Sequence, residues 1–174
     1  MPLTPFHMGP AASLKLVGGS WFSFAIFGYA QILMDLEPLL SLISSGMIAH
    51  GTSHTLGGAV AITVFTIVTG RFVYAIGARL WNGRLPLREL EIPDTVPFRA
   101  VVTAALLGTL SHLALDAMMH ADVAPFAPIA GGNPLLAALS PSAIHLVCIG
   151  TGIVGAVGLL ALRIWHDVEE LADD

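Results

Sequence analysis

Acidic residues and histidines stand together at the ends of apolar stretches in this chain of 174 residues. Asp35 and Glu37 close the first stretch, and His50 and His54 open the second. His112, Asp116 and His120 close the third, Asp122 follows, and His145 opens the fourth. His50 and His54 are four apart, as are His112 and Asp116, then Asp116 and His120. On a helix such pairs share a face, so two side chains one turn apart can grip one cation; for His50 the alternative is a place in the loop before the helix, since His-x-x-x-His by itself is a weak signal. Asp35 and Glu37 are two apart and diverge on a helix; a helix fraying before Pro38 would let both turn inward. Imidazole and carboxylate without thiolate suit Zn²⁺, Mn²⁺ or Fe²⁺, the donor mixture of hydrolytic metal centres.

The elements that position these groups belong to a membrane. Hydrophobic residues make up 55% of the chain and charged residues 11%, with a mean hydropathy of +0.81. A soluble domain carries about 25% charged residues, so an ordinary water-soluble enzyme is excluded. The net charge of -5 argues against a nucleic-acid partner. The one cysteine, Cys148, lies in an apolar run, which rules out an internal disulfide or thiolate cluster and leaves a packing role. Four apolar stretches stand out, Trp21–Met34, Leu56–Ala78, Ala100–Ala117 and Ala143–Ile164. A spanning helix needs about 20 residues, so the last three qualify outright and the first only with help. Pro38 and Gly46, then Pro86, Pro93 and Pro97, then Pro125 through Pro141, read as turns and loops between them. The expected fold is all-α, a polytopic membrane helical bundle of about four transmembrane helices plus a short N-terminal helix. It forms one integral membrane domain over 1–174, with a half-helix at 1–19, an Arg-rich loop at 79–99 and an acidic tail at 166–174.

Basic residues orient that bundle. Arg79, Arg84, Arg88 and Arg99 crowd one connection, while 35–55 and 118–142 hold neither Lys nor Arg. The positive-inside rule makes the Arg-rich loop cytoplasmic and sets the His/Asp groups in the outer half of the bilayer or at its outer face. Carboxylates there are costly unless paired, and no basic residue is at hand, so Asp35 and Asp116 call for a metal or for protonated histidines. His145 taken alone reads as a packing histidine, while His120 and Asp122 fit either the outer support of the site or a headgroup-level loop. His166 lies at the opposite end and is set aside. Ser53, Thr55 and Ser111 have no Ser-His-Asp context, and no Lys follows the fourth-stretch glycines as a phosphate loop requires. Those glycines, and the pair Thr151/Gly155, read as close helix packing within the chain or against a second copy.

His7 is harder to place. As part of a simple cytoplasmic tail it would be on the wrong side. Alternatively a half-helix starts near the outer site, descends to Lys15 and Gly18-Gly19, and reverses into Trp21–Met34. Met1–Pro10 lacks the cationic start of a cleaved signal.

The ordered set Thr4-Pro5-x-His7, Met34-Asp35-Leu36-Glu37-Pro38, His50-x-x-x-His54-Thr55 and Gly108-x-x-x-His112-x-x-x-Asp116 resembles the bacterial inner-membrane-associated metal-dependent hydrolases of the LexA-binding type, themselves similar in outline to zinc-dependent phospholipase C. The resemblance implies His7, Asp35, His50, His54, His112 and Asp116 as metal positions, with a re-entrant N-terminus that brings His7 to the others. It implies a bacterial inner membrane, with the site on the periplasmic side. Where the family has Asp-x-Asp this chain has Asp35-x-Glu37, which departs from the ligand pattern at Glu37. The set is larger than one tetrahedral ion needs, so one or two divalent ions are expected, zinc above all, with manganese or iron as alternatives. Asp35 or Asp116 would bridge them, and Glu37 would act as general base. The expected substrate is a phosphoester in a lipid or lipid-linked molecule. A divalent-metal or proton transporter using the same cluster, and a non-catalytic histidine sensor, are the alternatives.

Overall fold

The computed structural model describes residues 5–84 and 92–173. Thr4 of the N-terminal motif, Pro86 and Arg88 of the basic connection, and Asp174 lie outside the described residues. The helices are α1 Gly9–Gly18, α2 Phe24–Ser45, α3 Leu56–Asn82, α4 Phe98–Met119 and α5 Pro141–Asp173. Short 3-10 turns occupy Pro5–Met8, Gly19–Trp21 and Thr52–His54. Among the described residues there is no strand. Helices α2 to α5 are each long and apolar enough to cross a membrane.

Their surfaces are inverted relative to a soluble bundle. Val64, Phe65, Val68 and Phe72 of α3, and Leu146, Ile153, Val157 and Leu160 of α5, are exposed. The interior between helices holds Ala59, Thr63, Thr66 and Gly70 of α3 against Ala104, Ala105, Gly108 and Thr109 of α4. Small residues inside and large apolar ones outside is what packing in lipid selects, since lipid tails solvate leucine as well as a core does.

Local signals set the helix ends. Ser23 Oγ accepts from Ile26 N at 3.4 Å to start α2, and Gly46, at φ 73, ends it in the left-handed conformation. Thr55 Oγ1 accepts from Gly58 N at 3.0 Å to start α3. The expected turn at Pro38 is corrected: α2 runs through it to Ser45, 22 residues in all. A proline costs a membrane helix one backbone bond without ending it, and the added turns give the first span its full length. The acidic segment 166–173 likewise continues α5 rather than forming a separate tail.

Helices α2, α3 and α4 form a three-helix core. Thr63 Oγ1 and Thr109 Oγ1 meet at 2.6 Å between α3 and α4, and Tyr29 Oη meets Thr69 Oγ1 at 3.1 Å between α2 and α3. At the α2–α4 crossing a Cβ on Gly108 would lie 2.8 Å from Ala30 Cβ and 3.2 Å from Phe27 O, so only glycine allows this approach. Helix α1 lies parallel to α5: Gly9 abuts Cys148 and Gly152, Ala12 and Ser13 abut Gly155, and Leu16 abuts Gly158. Ser13 Oγ donates to Thr151 O at 2.6 Å along that seam. Helix α5 reaches the core mainly through α1 and the Pro5–Met8 turn.

The N-terminus therefore adopts the half-helix arrangement. Ten residues of α1 cover about 15 Å from His7 to the Gly19–Trp21 turn, and α2 then returns. Lys15 Nζ closes the reversal by donating to Gly19 O at 2.8 Å and Phe22 O at 3.1 Å.

Candidate metal centre

Five of the seven histidines converge on one carboxylate. Asp116 has His54 Nε2 at 3.0 Å, His112 Nε2 at 3.1 Å, His7 Nε2 at 3.7 Å, His50 Nε2 at 3.8 Å and His120 Nε2 at 4.0 Å. Asp35 Oδ1 stands 3.4 Å from His112 Nε2. The elements doing this are the turn before α1, the middle of α2, the turn before α3 and the end of α4. Among the described residues no lysine or arginine lies within ion-pair distance of Asp35 or Asp116.

The centre has two layers. Asp35, His54, His112 and Asp116 are all buried, and one ligand atom from each lies within 4.8 Å of every other. His50, His120 and Asp122 form a second such group that is partly open to the surface. Two ligands on one tetrahedral ion at 2.0–2.1 Å stand about 3.4 Å apart. The 3.0–3.4 Å separations among Asp116, His54, His112 and Asp35 are of that size.

Outer partners set which nitrogen each ring offers. Gln31 Nε2 donates to Gly108 O at 3.0 Å, so Gln31 Oε1 is turned toward His112 Nδ1 and accepts its proton. His112 Nε2 is thereby turned toward the carboxylates of Asp35 and Asp116, two anions that call for a cation at this nitrogen, either a metal ion or a second ring proton. Asp122 Oδ2 holds His50 in the same way, accepting from His50 N and from Nδ1, both at 3.0 Å. This leaves His50 Nε2 facing Asp116. Ser53 Oγ meets His54 Nδ1 at 2.9 Å. A carboxylate, amide or hydroxyl on the far nitrogen of a histidine is the usual support for metal ligation.

His7 is 2% exposed, and neither ring nitrogen has a hydrogen-bond partner. Burial pushes its pKa down to about 4, against the opposing pull of Asp116, so the ring is neutral at pH 7. Burial likewise lowers His120. Partial burial acts upward on Asp122, but the bonds from His50 outweigh it and hold the carboxyl below its usual range.

The structure thus brings His7, Asp35, His50, His54, His112, Asp116, His120 and Asp122 to one place. His145 is elsewhere: its ring packs on Phe6 with centroids 4.8 Å apart. His166 lies on exposed α5, 3.7 Å from Glu169. Glu37 is turned away from the cluster, accepting from Thr52 N at 3.0 Å and Ser53 N at 2.6 Å. The α2 helix does not fray at Pro38, so Asp35 points inward and Glu37, two residues on, does not. The shared helical face expected of His50 and His54 is also corrected. His50 is in a loop and His54 ends a 3-10 turn, and their rings meet edge to face at 4.7 Å. Gln31 and the hydroxyl of Ser53 escaped the sequence reading as supports. Gln31 had a signal, an amide one turn before Asp35 in an otherwise apolar helix; Ser53 had none beyond adjacency to His54.

The fold and this cluster define a polytopic helical membrane protein with a buried His/Asp group able to hold a metal ion. No family model, no curated protein and no solved structure matches the chain.

Proposed function

We propose that the protein is a membrane-embedded, metal-dependent hydrolase that cleaves a phosphoester of a lipid or lipid-linked substrate. The observation that carries this reading is His112 Nε2, a buried nitrogen between two carboxylates, with Gln31 holding the opposite side of the ring. Two buried anions around one imidazole nitrogen need a cation; a protonated ring would supply one charge, and the further histidines converging on Asp116 favour a metal ion in its place. Asp35, His54, His112 and Asp116 would hold that cation, with His7 alongside. Zinc suits the donor set, and the second group, His50, His120 and Asp122, would hold a second ion.

A bound divalent ion supplies Lewis acidity and draws the pKa of water toward about 7. The chain's own groups supply the rest. The tetrad is sealed from bulk water, whereas the His120 side chain is 25% exposed and that of Asp122 49% exposed, so substrate approaches over these two. Glu37 has no part in proton transfer, because its carboxylate is committed to the Thr52 and Ser53 amides. Apolar helices leave lipid as the neighbour of this mouth, which favours a headgroup substrate. Basic residues at the far end favour a periplasmic site, and the resemblance to inner-membrane hydrolases points the same way.

The test is elemental analysis of detergent-purified protein together with phosphodiester hydrolysis in mixed micelles. Stoichiometric metal and turnover, both lost in His112→Ala and Asp116→Asn, are expected. Protein that is metal-free as purified and binds no added zinc, or that carries metal ions across proteoliposomes without hydrolysis, would overturn the reading.

A further inference from the structure

A second polar site lies at the other end of the bundle, independent of the metal centre. A cavity of about 360 Å³ opens beside the α1–α2 reversal, lined among others by Lys15, Ser20, Ser23, Tyr74 and Thr95. Cavities of about 300–1,000 Å³ are the size that take small molecules or headgroups. Each of its serine hydroxyls already accepts one hydrogen bond and keeps its own proton to give. Ser23 Oγ already accepts from Ile26 N at 3.4 Å, and Ser20 Oγ accepts from Arg99 Nη2 at 3.0 Å. Lys15 Nζ spends two protons on Gly19 O and Phe22 O and keeps a third. Tyr74 adds a phenol at the wall.

Charge points the same way. Lys15 and Arg99 have no carboxylate within ion-pair distance among the described residues. Arg99 lies over the Trp21 ring at 4.8 Å, and Asp94 on the adjoining segment takes a hydrogen bond from Asn82. Lys15 with a spare donor, in one cavity with Phe22, Phe24, Val96 and Pro97, is complementary to a phosphate group attached to something apolar. Basic pockets between membrane helices recognise anionic headgroups through this combination.

We propose that this cavity binds a phosphate-bearing anion, with Lys15 as its charge partner and Ser20 and Ser23 as hydroxyl donors. The phosphate could belong to a lipid headgroup or to a free ion, and the experiment separates the two. Delipidated full-length protein in detergent is titrated with phosphatidylglycerol, with phosphatidylcholine and with inorganic phosphate, and retained ligand is counted by native mass spectrometry. One phosphatidylglycerol per chain is expected, at least tenfold preferred over phosphatidylcholine, with retention falling at least tenfold in Lys15→Gln. Ser20→Ala, which leaves the Lys15 bonds to Gly19 O and Phe22 O in place, serves as a second variant and should also lower retention. Displacement of phosphatidylglycerol by millimolar phosphate would identify a free-ion site, and its persistence a lipid site; either supports the proposal. Equal retention of both lipids together with no retained inorganic phosphate, or unchanged phosphatidylglycerol and phosphate retention in both variants, would overturn it. Metal content reports on the opposite end: it should match wild type in Ser20→Ala, and a fall in Lys15→Gln would mark a displaced α1 rather than a lost ligand contact.

Discussion

Gln31 on α2 and His112 on α4 are joined so that the amide sets the proton of the imidazole. Gln31 Nε2 is tied to Gly108 O at 3.0 Å, which leaves only Oε1 to face His112 Nδ1. The contact depends on Gly108, where the two helices come too close for any side chain. Replacing the supporting group of a metal-ligating histidine usually costs 10–100-fold in affinity. Gln31→Leu should therefore weaken zinc binding by about that factor, measured by competition with a chromogenic chelator. An unchanged affinity would show that His112 needs no such partner.

Asp116 should matter more than any single histidine, because five rings face its two oxygens. Saturating a site at 100 times its Kd stabilises a protein by about 2.7 kcal/mol. Zinc added to wild-type apoprotein should raise the unfolding temperature accordingly, and Asp116→Asn should abolish the shift. His145→Ala should keep it, since that ring packs on Phe6. A full shift in Asp116→Asn would remove this carboxylate from the centre.

Glu37 positions the loop that carries His50 and His54. Its carboxylate accepts from the amides of Thr52 and Ser53, and a side chain at Gly51 would collide with it. Hydrogen bonds to a charged group contribute about 1.5–3 kcal/mol, and less where the donor is exposed to water as Thr52 N is. Glu37→Ala should lower zinc affinity, with Glu37→Gln intermediate because its amide oxygen can still accept. Were Glu37 a general base, Glu37→Gln would instead keep full metal content and lose turnover.

The seam between α1 and α5 should control His7. A Cβ on Gly155 would run into Ala12 and Ser13, and His7 lies two residues before Gly9 at the top of the same seam. Overpacking a close contact costs about 1–3 kcal/mol. Gly155→Leu should reduce both thermal stability and zinc affinity, whereas Gly77→Leu, where a side chain meets open space, should spare both. Equal behaviour of the two variants would detach α1 packing from the metal centre.

The spans were legible in the chain because hydropathy adds up along a line, and a lipid environment needs only length and apolar content. Even so, the proline at 38 misled a local reading, since its effect depends on what surrounds the helix. The spacing of His112 and Asp116 carried over directly, because one helix holds both. His50 and His54 did not keep their supposed helical face, because Glu37 from another helix holds the amides between them in a 3-10 turn. Donor types and their clustering at one end were thus a property of the sequence alone. Which nitrogen faces which oxygen, and that His7 reaches Asp116, were decided by tertiary packing. Those contacts join residues 62 to 109 positions apart, and only helix crossings allowed by Gly108 and Gly155 bring them within bonding range.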